Sequence, residues 1–283
     1  MSDAGSGPVG HVSDTARWVA VYRADESVRP DALFDDPLAD RLAGPRGRAI
    51  AAAVPRAMRN GWWMVARTKV IDDLITDAVK RGCDRVLNLA AGLDTRPYRL
   101  DLPAELRWVE ADLAPLLAEK EHLLADEKPR CRLTRTAVDL SDAAARKAFL
   151  DEALAGASKA FVLTEGLLMY LDQSDVIGLS NDFHRPEIAW WAMDFPSIGL
   201  LMTMNNRTGG LLENAPFTFA PANGVGFFED LGWRVASIES VTQAAFRFNR
   251  LPPLTRLLAR LPQPNPRNPG KRPWSGIACL TPA

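Results

Sequence analysis

The stretch that decides the fold is Val86-Leu-Asn-Leu-Ala-Ala-Gly-Leu-Asp-Thr-Arg-Pro-Tyr-Arg-Leu100. It begins as a short apolar strand and breaks into a turn of small residues at Ala90-Ala-Gly92. A second apolar run, Trp108-Val-Glu-Ala-Asp112, follows and ends in an acid. A turn of small residues lets a ligand approach the backbone closely, and an acid at the tip of the next strand can accept hydrogen bonds from a ribose. Together they predict a nucleoside cofactor site at the carboxyl ends of parallel strands.

The composition of the turn indicates which cofactor binds. Dinucleotide-binding turns carry several glycines and hold a pyrophosphate at the start of the next helix. Here Gly92 is the single glycine, and Asp94 stands where that pyrophosphate would lie. A carboxylate suits a cationic ligand without phosphates, which favours S-adenosylmethionine, and Asp112 follows Gly92 by 20 residues (112 − 92), close to the usual spacing. A strand–turn–helix without a ligand and a nicotinamide-dependent oxidoreductase are the alternatives.

The bulk composition argues against several classes of protein. The chain has 283 residues with 47% hydrophobic content, enough for one large domain with a lid. Its formal net charge of −1 argues against nucleic-acid binding. Three widely spaced cysteines predict a reduced, cytoplasmic setting without disulfides or a metal site. We expect no membrane span, because no run of about 18 apolar residues occurs, and residues 1–12 are expected to form a disordered tail without a secretion signal.

Hydrophobic periodicity predicts two parts in the rest of the chain. Residues 13–82 are expected to form an N-terminal helical lid, with a first helix capped by Ser13 and a last helix that ends at Gly82. Residues 83–283 are expected to form the cofactor-binding α/β domain, with a lid insertion at about 195–228. Alternating strands and helices predict a doubly wound, seven-stranded, mostly parallel sheet. The predicted strands are 86–89, 107–111, 133–138, 160–164, 187–194, 233–238 and 274–280.

Two further strand ends carry candidate ligand-binding residues, because open α/β sheets bind ligands at the carboxyl ends of strands. Asp139 and Leu140 could bind an adenine. Asp139 could instead cap the following helix, which is expected to start near Ser141 with Ser141 as its cap. Glu165 ends an apolar strand and therefore needs a charged or polar partner. A sulfonium, an amino group or Arg67 could be that partner, the last as a purely structural ion pair.

Five motifs in a fixed order carry a resemblance to a known family. They are Asp31-Ala-Leu-Phe-Asp-Asp-Pro-Leu-Ala39, Val65-Ala-Arg-Thr-Lys69, Ala91-Gly-Leu-Asp-Thr-Arg-Pro-Tyr-Arg-Leu100, Glu110-Ala-Asp-Leu113 and Thr164-Glu-Gly-Leu-Leu-Met-Tyr-Leu171. Along nearly its whole length the chain resembles the leucine carboxyl methyltransferase family, especially a bacterial branch that includes O-methyltransferases of polyketide pathways. The resemblance implies a class I, Rossmann-like, S-adenosylmethionine-dependent methyltransferase with a helical lid.

The resemblance also implies roles for individual residues. Arg67 would bind the cofactor's carboxylate, Glu165 its amino group and Asp112 its ribose. The remaining implied cofactor contacts are Ala90, Ala91 and Gly92 at the methionine part and Asp139 and Leu140 at the adenine end. One position departs from the family, which usually has Leu-Gly-Ala-Gly where this chain has Leu-Ala-Ala-Gly at 89–92. The methyl group of Ala90 is expected to be tolerated if its φ is negative.

The small number of histidines bears on the methyl acceptor. Methyl transfer needs a deprotonated nucleophile, and a carboxylate is already ionised at pH 7. His11 lies in the expected tail, His122 in a helix and His184 before a strand, so a histidine general base is poorly supported. We therefore expect a carboxylate acceptor on a small or polyketide-like molecule. A phenol or hydroxyl acceptor and a non-catalytic cofactor-binding module are the alternatives.

Substrate-side residues are predicted less directly. Tyr170 matches a family tyrosine near the substrate, and Tyr22 and Arg23 are the other candidates for contacting the acceptor. Arg207 is a weaker candidate, since a surface ion pair explains it equally well. The tryptophan pairs at 62–63 and 190–191 could frame an aromatic acceptor, although core packing is the commoner role. A monomer or homodimer with a small-molecule acceptor is expected, without nucleic-acid or membrane partners.

Overall fold

The structure, a computed structural model, describes residues 12–56, 59–207 and 217–283. The predicted disordered tail, including His11, therefore lies outside the described residues except for its last position. The side chains of Ser13 and Arg207 and residues 208–216 of the predicted insertion also lie outside. The predictions made for them stay predictions.

Seven strands form one sheet: β1 (Arg85–Leu89), β2 (Arg107–Asp112), β3 (Arg132–Ala137), β4 (Ala160–Thr164), β5 (Ile188–Pro196), β6 (Trp233–Ser240) and β7 (Ser275–Pro282). Their order is β3-β2-β1-β4-β5-β7-β6. β7 is antiparallel to both of its neighbours, and the other neighbouring pairs are parallel. The predicted doubly wound, mostly parallel sheet is confirmed, and each predicted strand end lies within two residues of the observed one.

The helices of the described residues are α1 (Val12–Ser27), α2 (Ala39–Ala53), α3 (Trp62–Lys80), α4 (Arg96–Arg99), α5 (Ala114–Leu123), α6 (Ala143–Ala153), α7 (Gln173–Asp182), α8 (Ile198–Arg207), α9 (Gly226–Asp230), α10 (Val241–Arg247) and α11 (Pro253–Leu258). A 3₁₀ turn covers Leu168–Tyr170. α3 ends where predicted, because Gly82 follows with a φ of 88° that continues no right-handed helix. The predicted cap of α6 at Ser141 is wrong. The carboxylate of Asp142 accepts hydrogen bonds from the first amides of that helix instead.

Apolar layers cover both faces of the sheet. One layer joins the sheet to α6, α7 and α9 through residues such as Phe149 and Phe228. The other joins it to α3 and α10 through residues such as Ile71 and Ala244. β1 and β4 are buried along their whole length, which is typical of central parallel strands. Ligands can therefore reach these strands only at their ends.

The N-terminal helices lie against the turn that follows β1. Buried side chains of α1, α2 and α5 pack together with Leu93 of this turn. A Cβ atom added to Gly92 would come within 3.3 Å of the Cβ of Ala16 on α1. β5 and α8 occupy the beginning of the predicted insertion, so that part is regular structure. The lid roles of 13–82 and of about 195–228 stay predictions.

In the described part of the chain, no helix combines the length and hydrophobicity that a membrane-spanning segment needs.

Candidate functional site

The turn after β1 has left-handed backbone at two positions. φ is 54° at Ala90 and 50° at Gly92. Glycine adopts such a φ freely, whereas alanine pays about 1 kcal/mol because its Cβ crowds the backbone. The expectation that Ala90 is tolerated rests on a negative φ, and the structure overturns that premise. The position is one that favours glycine, the residue the family usually has there.

Asp112, the last residue of β2, closes this turn. The backbone amide of Gly92 donates a hydrogen bond of 2.7 Å to Oδ2 of Asp112. The amide of Leu113 donates another of 2.7 Å to Oδ1. Each carboxylate oxygen keeps a lone pair for a further donor. The structure thus brings together the glycine and the acid that the spacing predicted to meet, and the ribose role of Asp112 stays a prediction.

The end of β3 presents Asp139 and Leu140 in different environments. Asp139 is exposed, and its Oδ1 accepts hydrogen bonds from the amide and the hydroxyl of Ser141. These bonds lower the pKa of Asp139. Leu140 is buried against the layer on the α6 face. Asp139 therefore holds the turn before α6 rather than capping the helix itself, and the adenine contacts stay predictions.

The ends of β4 and β5 meet at the guanidinium group of Arg67, which α3 supplies. Nε of Arg67 lies 2.9 Å from Oε1 of Glu165, and its Nη1 lies 2.8 Å from Oδ2 of Asp194. Oδ1 of Asp194 accepts a hydrogen bond of 2.6 Å from the amide of Gly166. The predicted partnership of Arg67 with Glu165 is therefore present, and Asp194 adds a second carboxylate.

These groups belong to a continuous chain of ion pairs, here called the charge network. Consecutive members are joined by N···O distances of 2.6 to 3.9 Å. The members are the carboxylates of Asp36, Asp72, Asp94, Glu165 and Asp194 and the guanidinium groups of Arg23, Arg67, Arg96 and Arg99. Five carboxylates face four guanidinium groups, so the network has one excess negative formal charge. A cationic ligand would balance it.

Burial and charge act against each other inside the network. Burial alone would raise the pKa of Glu165, but the guanidinium groups of Arg96 and Arg67 outweigh it and leave that pKa below its ordinary value. The same two effects act on Asp94. Burial alone would raise the pKa of Asp94, but the charge of Arg96 lowers that pKa well below its ordinary range. Burial alone would lower the pKa of Arg67, yet Asp194 and Glu165 together raise that pKa above the ordinary value for arginine. Glu165, Asp94 and Arg67 are therefore ionised at neutral pH.

Tyr170 joins the network to α1. Its hydroxyl interacts with the side chain of Thr15, and its ring packs edge-on against Phe217 at 5.3 Å between centroids. Burial raises the pKa of Tyr170 despite the nearby charge of Arg67. The tyrosine is therefore protonated at pH 7 and can donate a hydrogen bond, which suits a positioning role better than that of a base.

Tyr22 and Arg23 are buried on α1. The ring of Tyr22 packs against Trp18 and Trp63, and burial raises its pKa to about 12. Arg23 donates to Asp36 at 2.8 Å and to the carbonyl oxygen of Leu93 at 2.6 Å. These contacts favour structural roles for both residues, in which Arg23 anchors α1 to the turn after β1. Their predicted contact with the acceptor stays a prediction.

The described histidines do not join the charge network, and the paired tryptophans pack in the apolar layers. His122 is exposed on α5. His184 stacks on Trp233, the first residue of β6, and contacts the carbonyl oxygen of Leu231 at 2.8 Å. Trp191 is fully buried among aromatic rings, and its indole donates to Thr164. The core-packing interpretation of the tryptophan pairs is the one their contacts support.

The sequence analysis gives no site role to five residues of the charge network: Asp36, Asp72, Arg96, Arg99 and Asp194. Asp194 had a usable signal, because it is the single ionisable residue of a long apolar strand and stands near its carboxyl end. Arg96 lies inside a quoted motif and pairs with Asp94 of that motif. Its other two partners, Asp72 and Glu165, lie 24 and 69 residues away, and no local pattern identifies them.

The arrangement fits S-adenosylmethionine. Nε of Arg67 is buried and makes no hydrogen bond to the described residues, although it is ion-paired with Glu165. As the sequence predicts, Arg67 could bind an α-carboxylate and Glu165 the neighbouring ammonium. The left-handed turn at Ala90 and Gly92 exposes backbone, and Asp112 offers a carboxylate for vicinal hydroxyls. The negative charge of the network suits a ligand whose formal charge is positive.

Comparison with solved structures supports the fold. A crystal structure of a DUF574 family protein from Streptomyces avermitilis is similar over 95% of this chain and 97% of that chain, with a TM-score of 0.56. The two sequences are 16% identical, so the similarity speaks to the fold alone.

Comparison with known sequences identifies the family. A protein from Parafrankia sp., provisionally named an S-adenosyl-L-methionine-dependent methyltransferase, is 31% identical over 268 residues, which cover 85% of this chain and 81% of that protein. A protein of the same provisional name from Frankia alni is 31% identical over 249 residues, 82% of this chain and 85% of that protein. The family model of leucine carboxyl methyltransferase matches residues 16–182. The chain therefore belongs to the leucine carboxyl methyltransferase family.

Proposed function

We propose that this S-adenosylmethionine-dependent methyltransferase transfers a methyl group to a carboxylate oxygen of a small, largely apolar acid of the polyketide type. The observation that carries the proposal is the protonation state of the side chains around the site. Burial raises the pKa of Tyr170, and that of Tyr22 to about 12, so neither is a base at pH 7. Glu165 has a lowered pKa and faces two arginines, which makes it a weak proton acceptor.

A carboxylate acceptor needs no base, because it is ionised at neutral pH. Bound S-adenosylmethionine supplies an electrophilic methyl carbon; the acceptor oxygen forms a new C–O bond while the C–S bond breaks and its electron pair stays on sulfur. No proton has to move. The protein then has to align the acceptor and exclude water. Within the described residues, neither His122 nor His184 lies at this edge, in keeping with such chemistry.

The surroundings of Tyr170 support an apolar acceptor. α8 begins two residues after β5, the strand that carries Asp194. Its side chains Ile198 and Met202 are 41% and 54% exposed. Phe217 packs on the ring of Tyr170. Exposed apolar side chains next to a ligand-binding strand end form a suitable surface for an apolar molecule. The hydroxyl of Tyr170 would then orient the acceptor's carboxylate.

Cofactor binding is tested first by calorimetric titration with S-adenosylhomocysteine, with oxidised nicotinamide dinucleotide as the control. We expect micromolar binding of the former alone. Binding of neither would support a cofactor-free module, for which the left-handed Ala90 gives a physical reason. Binding of the dinucleotide alone would overturn the assignment of the turn.

The acceptor class is tested by incubating the enzyme with methyl-labelled S-adenosylmethionine and paired acceptors. Each pair consists of an aromatic or alicyclic carboxylic acid and the phenol or alcohol with the same skeleton. We expect label in the acids only, as methyl esters that dilute alkali hydrolyses to labelled methanol. Alkali-stable label in the phenols would instead establish the hydroxyl O-methyltransferase alternative. A reaction without enzyme corrects for chemical methylation.

A further inference from the structure

Three arginines stand side by side at the amino ends of neighbouring strands. Arg85, Arg107 and Arg132 are the first residues of β1, β2 and β3, and they share one register position across the sheet. Adjacent strands are about 4.8 Å apart, and side chains at one register position point to the same face. Like charges placed directly opposite each other destabilise a sheet. The chain therefore concentrates positive charge at a place where its own fold gains nothing from it.

Two of the three arginines have no counterion among the residues that the structure describes. Neither Arg107 nor Arg132 donates a side-chain hydrogen bond or forms an ion pair with any residue that the structure describes, and both are exposed. Arg85 is buried and donates to the carbonyl oxygens of Ala153 and Ala155 at the end of α6. Its Nε is buried without a partner among the described residues. Burial lowers the pKa of Arg85 and the charge of Arg107 lowers it further, and together they outweigh the opposite effect of the Asp84 carboxylate.

A cavity lies directly over this row. Its volume is about 350 Å³, within the range of small-molecule sites. Beyond the arginines, β3 contributes Thr134 and Thr136 to its lining, and Val109 and Phe149 form an apolar wall. Glu152, at the edge on α6, is the one acid among the lining residues. Three guanidinium groups against one carboxylate leave the cavity strongly cationic.

We infer that this cavity, here called the arginine-row cavity, is a binding site for a phosphate-bearing small molecule. Guanidinium groups match phosphate oxygens with paired hydrogen bonds, and threonine hydroxyls can donate to the remaining oxygens. The apolar wall would receive the organic part of the ligand. Arg107 and Arg132 supply the exposed contacts, and the unpartnered Nε of Arg85 supplies a donor at the bottom. The bound anion would also remove the repulsion along the row.

The arginine-row cavity is separate from the candidate active site. The arginines begin their strands, whereas Asp112 and Glu165 lie at the opposite, carboxyl ends. Strands of five or six residues are roughly 17 to 20 Å long. A phosphate group bound by the arginines would therefore lie at the other edge of the sheet, and the cavity extends from there along β3 to Thr136.

The test is calorimetric titration of the full chain with inorganic pyrophosphate and with phenyl phosphate, against sodium chloride at equal ionic strength. We expect binding of about 1 mM or tighter, and Arg132→Gln should weaken it at least tenfold. Arg234→Gln is the matched control, because Arg234 is an exposed arginine near the start of another strand, β6. Tighter binding of phenyl phosphate than of pyrophosphate would place the organic group on the wall at Phe149. The reverse order would assign the whole cavity to phosphate groups.

Thermal unfolding gives a second readout, and its first part needs no added ligand. Without added anion, Arg107→Gln removes repulsion, so its melting temperature should rise above that of the unchanged protein. Pyrophosphate should then stabilise the variant less than it stabilises the unchanged protein. The inference is overturned if the unchanged protein shows no anion-dependent heat up to several millimolar, or if Arg132→Gln and Arg234→Gln bind equally. A lower melting temperature for Arg107→Gln would also overturn it, since the arginine would then be stabilising the fold itself.

Discussion

The backbone amide of Gly92 donates a 2.7 Å hydrogen bond to Oδ2 of Asp112, so the acid predicted to bind the ribose also shapes the turn predicted to hold the methionine part. These two elements come from neighbouring strands and meet at the carboxyl edge of the sheet. A change at either residue should therefore affect both the turn and the cofactor.

Replacing Asp112 with alanine should weaken binding of S-adenosylhomocysteine by about 1–3 kcal/mol, the cost of losing a charged hydrogen-bond partner. Asp112→Asn is the matched comparison, because its carbonyl oxygen can still accept from the amide of Gly92. It should restore the melting temperature more than the affinity. Calorimetry with thermal unfolding of both variants measures the difference. Unchanged affinity in a folded Asp112→Ala protein would refute the ribose role.

Replacing Arg67 with methionine should raise the dissociation constant of S-adenosylhomocysteine at least tenfold, because the α-carboxylate loses its guanidinium partner. The change also leaves Asp194 and Glu165 short of one cation, which should cost about 3 kcal/mol of stability. Arg67→Lys keeps the positive charge but lacks the planar guanidinium group. Compared with Arg67→Met, it should recover more of the stability than of the affinity for S-adenosylhomocysteine. Calorimetry and urea unfolding separate the two effects. A loss of stability with unaltered affinity would make Arg67 a structural residue alone.

Replacing Ala90 with glycine should stabilise the fold by about 1 kcal/mol, because a φ of 54° strains alanine and not glycine. Ala91→Gly is the matched control. The φ of Ala91 is not positive, so glycine there should destabilise by about 0.5–1 kcal/mol. Urea unfolding of both variants measures the contrast. Equal destabilisation by the two changes would contradict the assigned strain.

Stability should fall at both ends of the pH scale, for opposite reasons. The lowered pKa values of Glu165 and Asp94 contribute stability that is present above the unfolded values near 4.5 and 3.8 and is lost as the pH falls through the folded values. The raised pKa of Tyr22 contributes stability that is present below pH 10 and is lost as the pH rises towards about 12.

Tyr22→Phe isolates the alkaline effect, because three buried cysteines also have raised pKa values and remain in the variant. Its stability, measured by urea unfolding between pH 9 and pH 11, should decline less steeply than that of the unchanged protein. The variant should also keep methyl transfer at neutral pH if Tyr22 is only a packing residue. If a folded variant lost methyl transfer, Tyr22 would instead be assigned a role in binding the acceptor.

The sheet could be read from the sequence because each strand is locally marked. β1 and β4 are short apolar runs bounded by turn residues, the pattern of strands buried on both faces. The spacing from Gly92 to Asp112 likewise assigned both residues to one site, and the structure shows them in contact. Helix ends are less clearly marked, since Asp139, Ser141 and Asp142 are all capable caps. In the structure the cap is Asp142, because its carboxylate accepts hydrogen bonds from the amides of Ala144 and Ala145.

The charge network could not be read in the same way. Arg67 and Asp194 meet across 127 residues of chain, and no local pattern states which of many arginines and acids will be partners. The sequence does carry charged residues at strand ends and in motifs, which marks the edge of the sheet as polar. Which oxygen faces which nitrogen depends on how α3 and the turn pack against β4 and β5.

The contact between Gly92 and α1 has an evolutionary consequence. A Cβ atom at position 92 would lie 3.3 Å from the Cβ of Ala16, and its φ of 50° already disfavours any side chain. The fold therefore favours glycine there even without a ligand. A relative that had lost catalysis would remain under selection to keep this glycine, so its presence in a distant homologue cannot distinguish a working enzyme from a descendant that retains only the architecture.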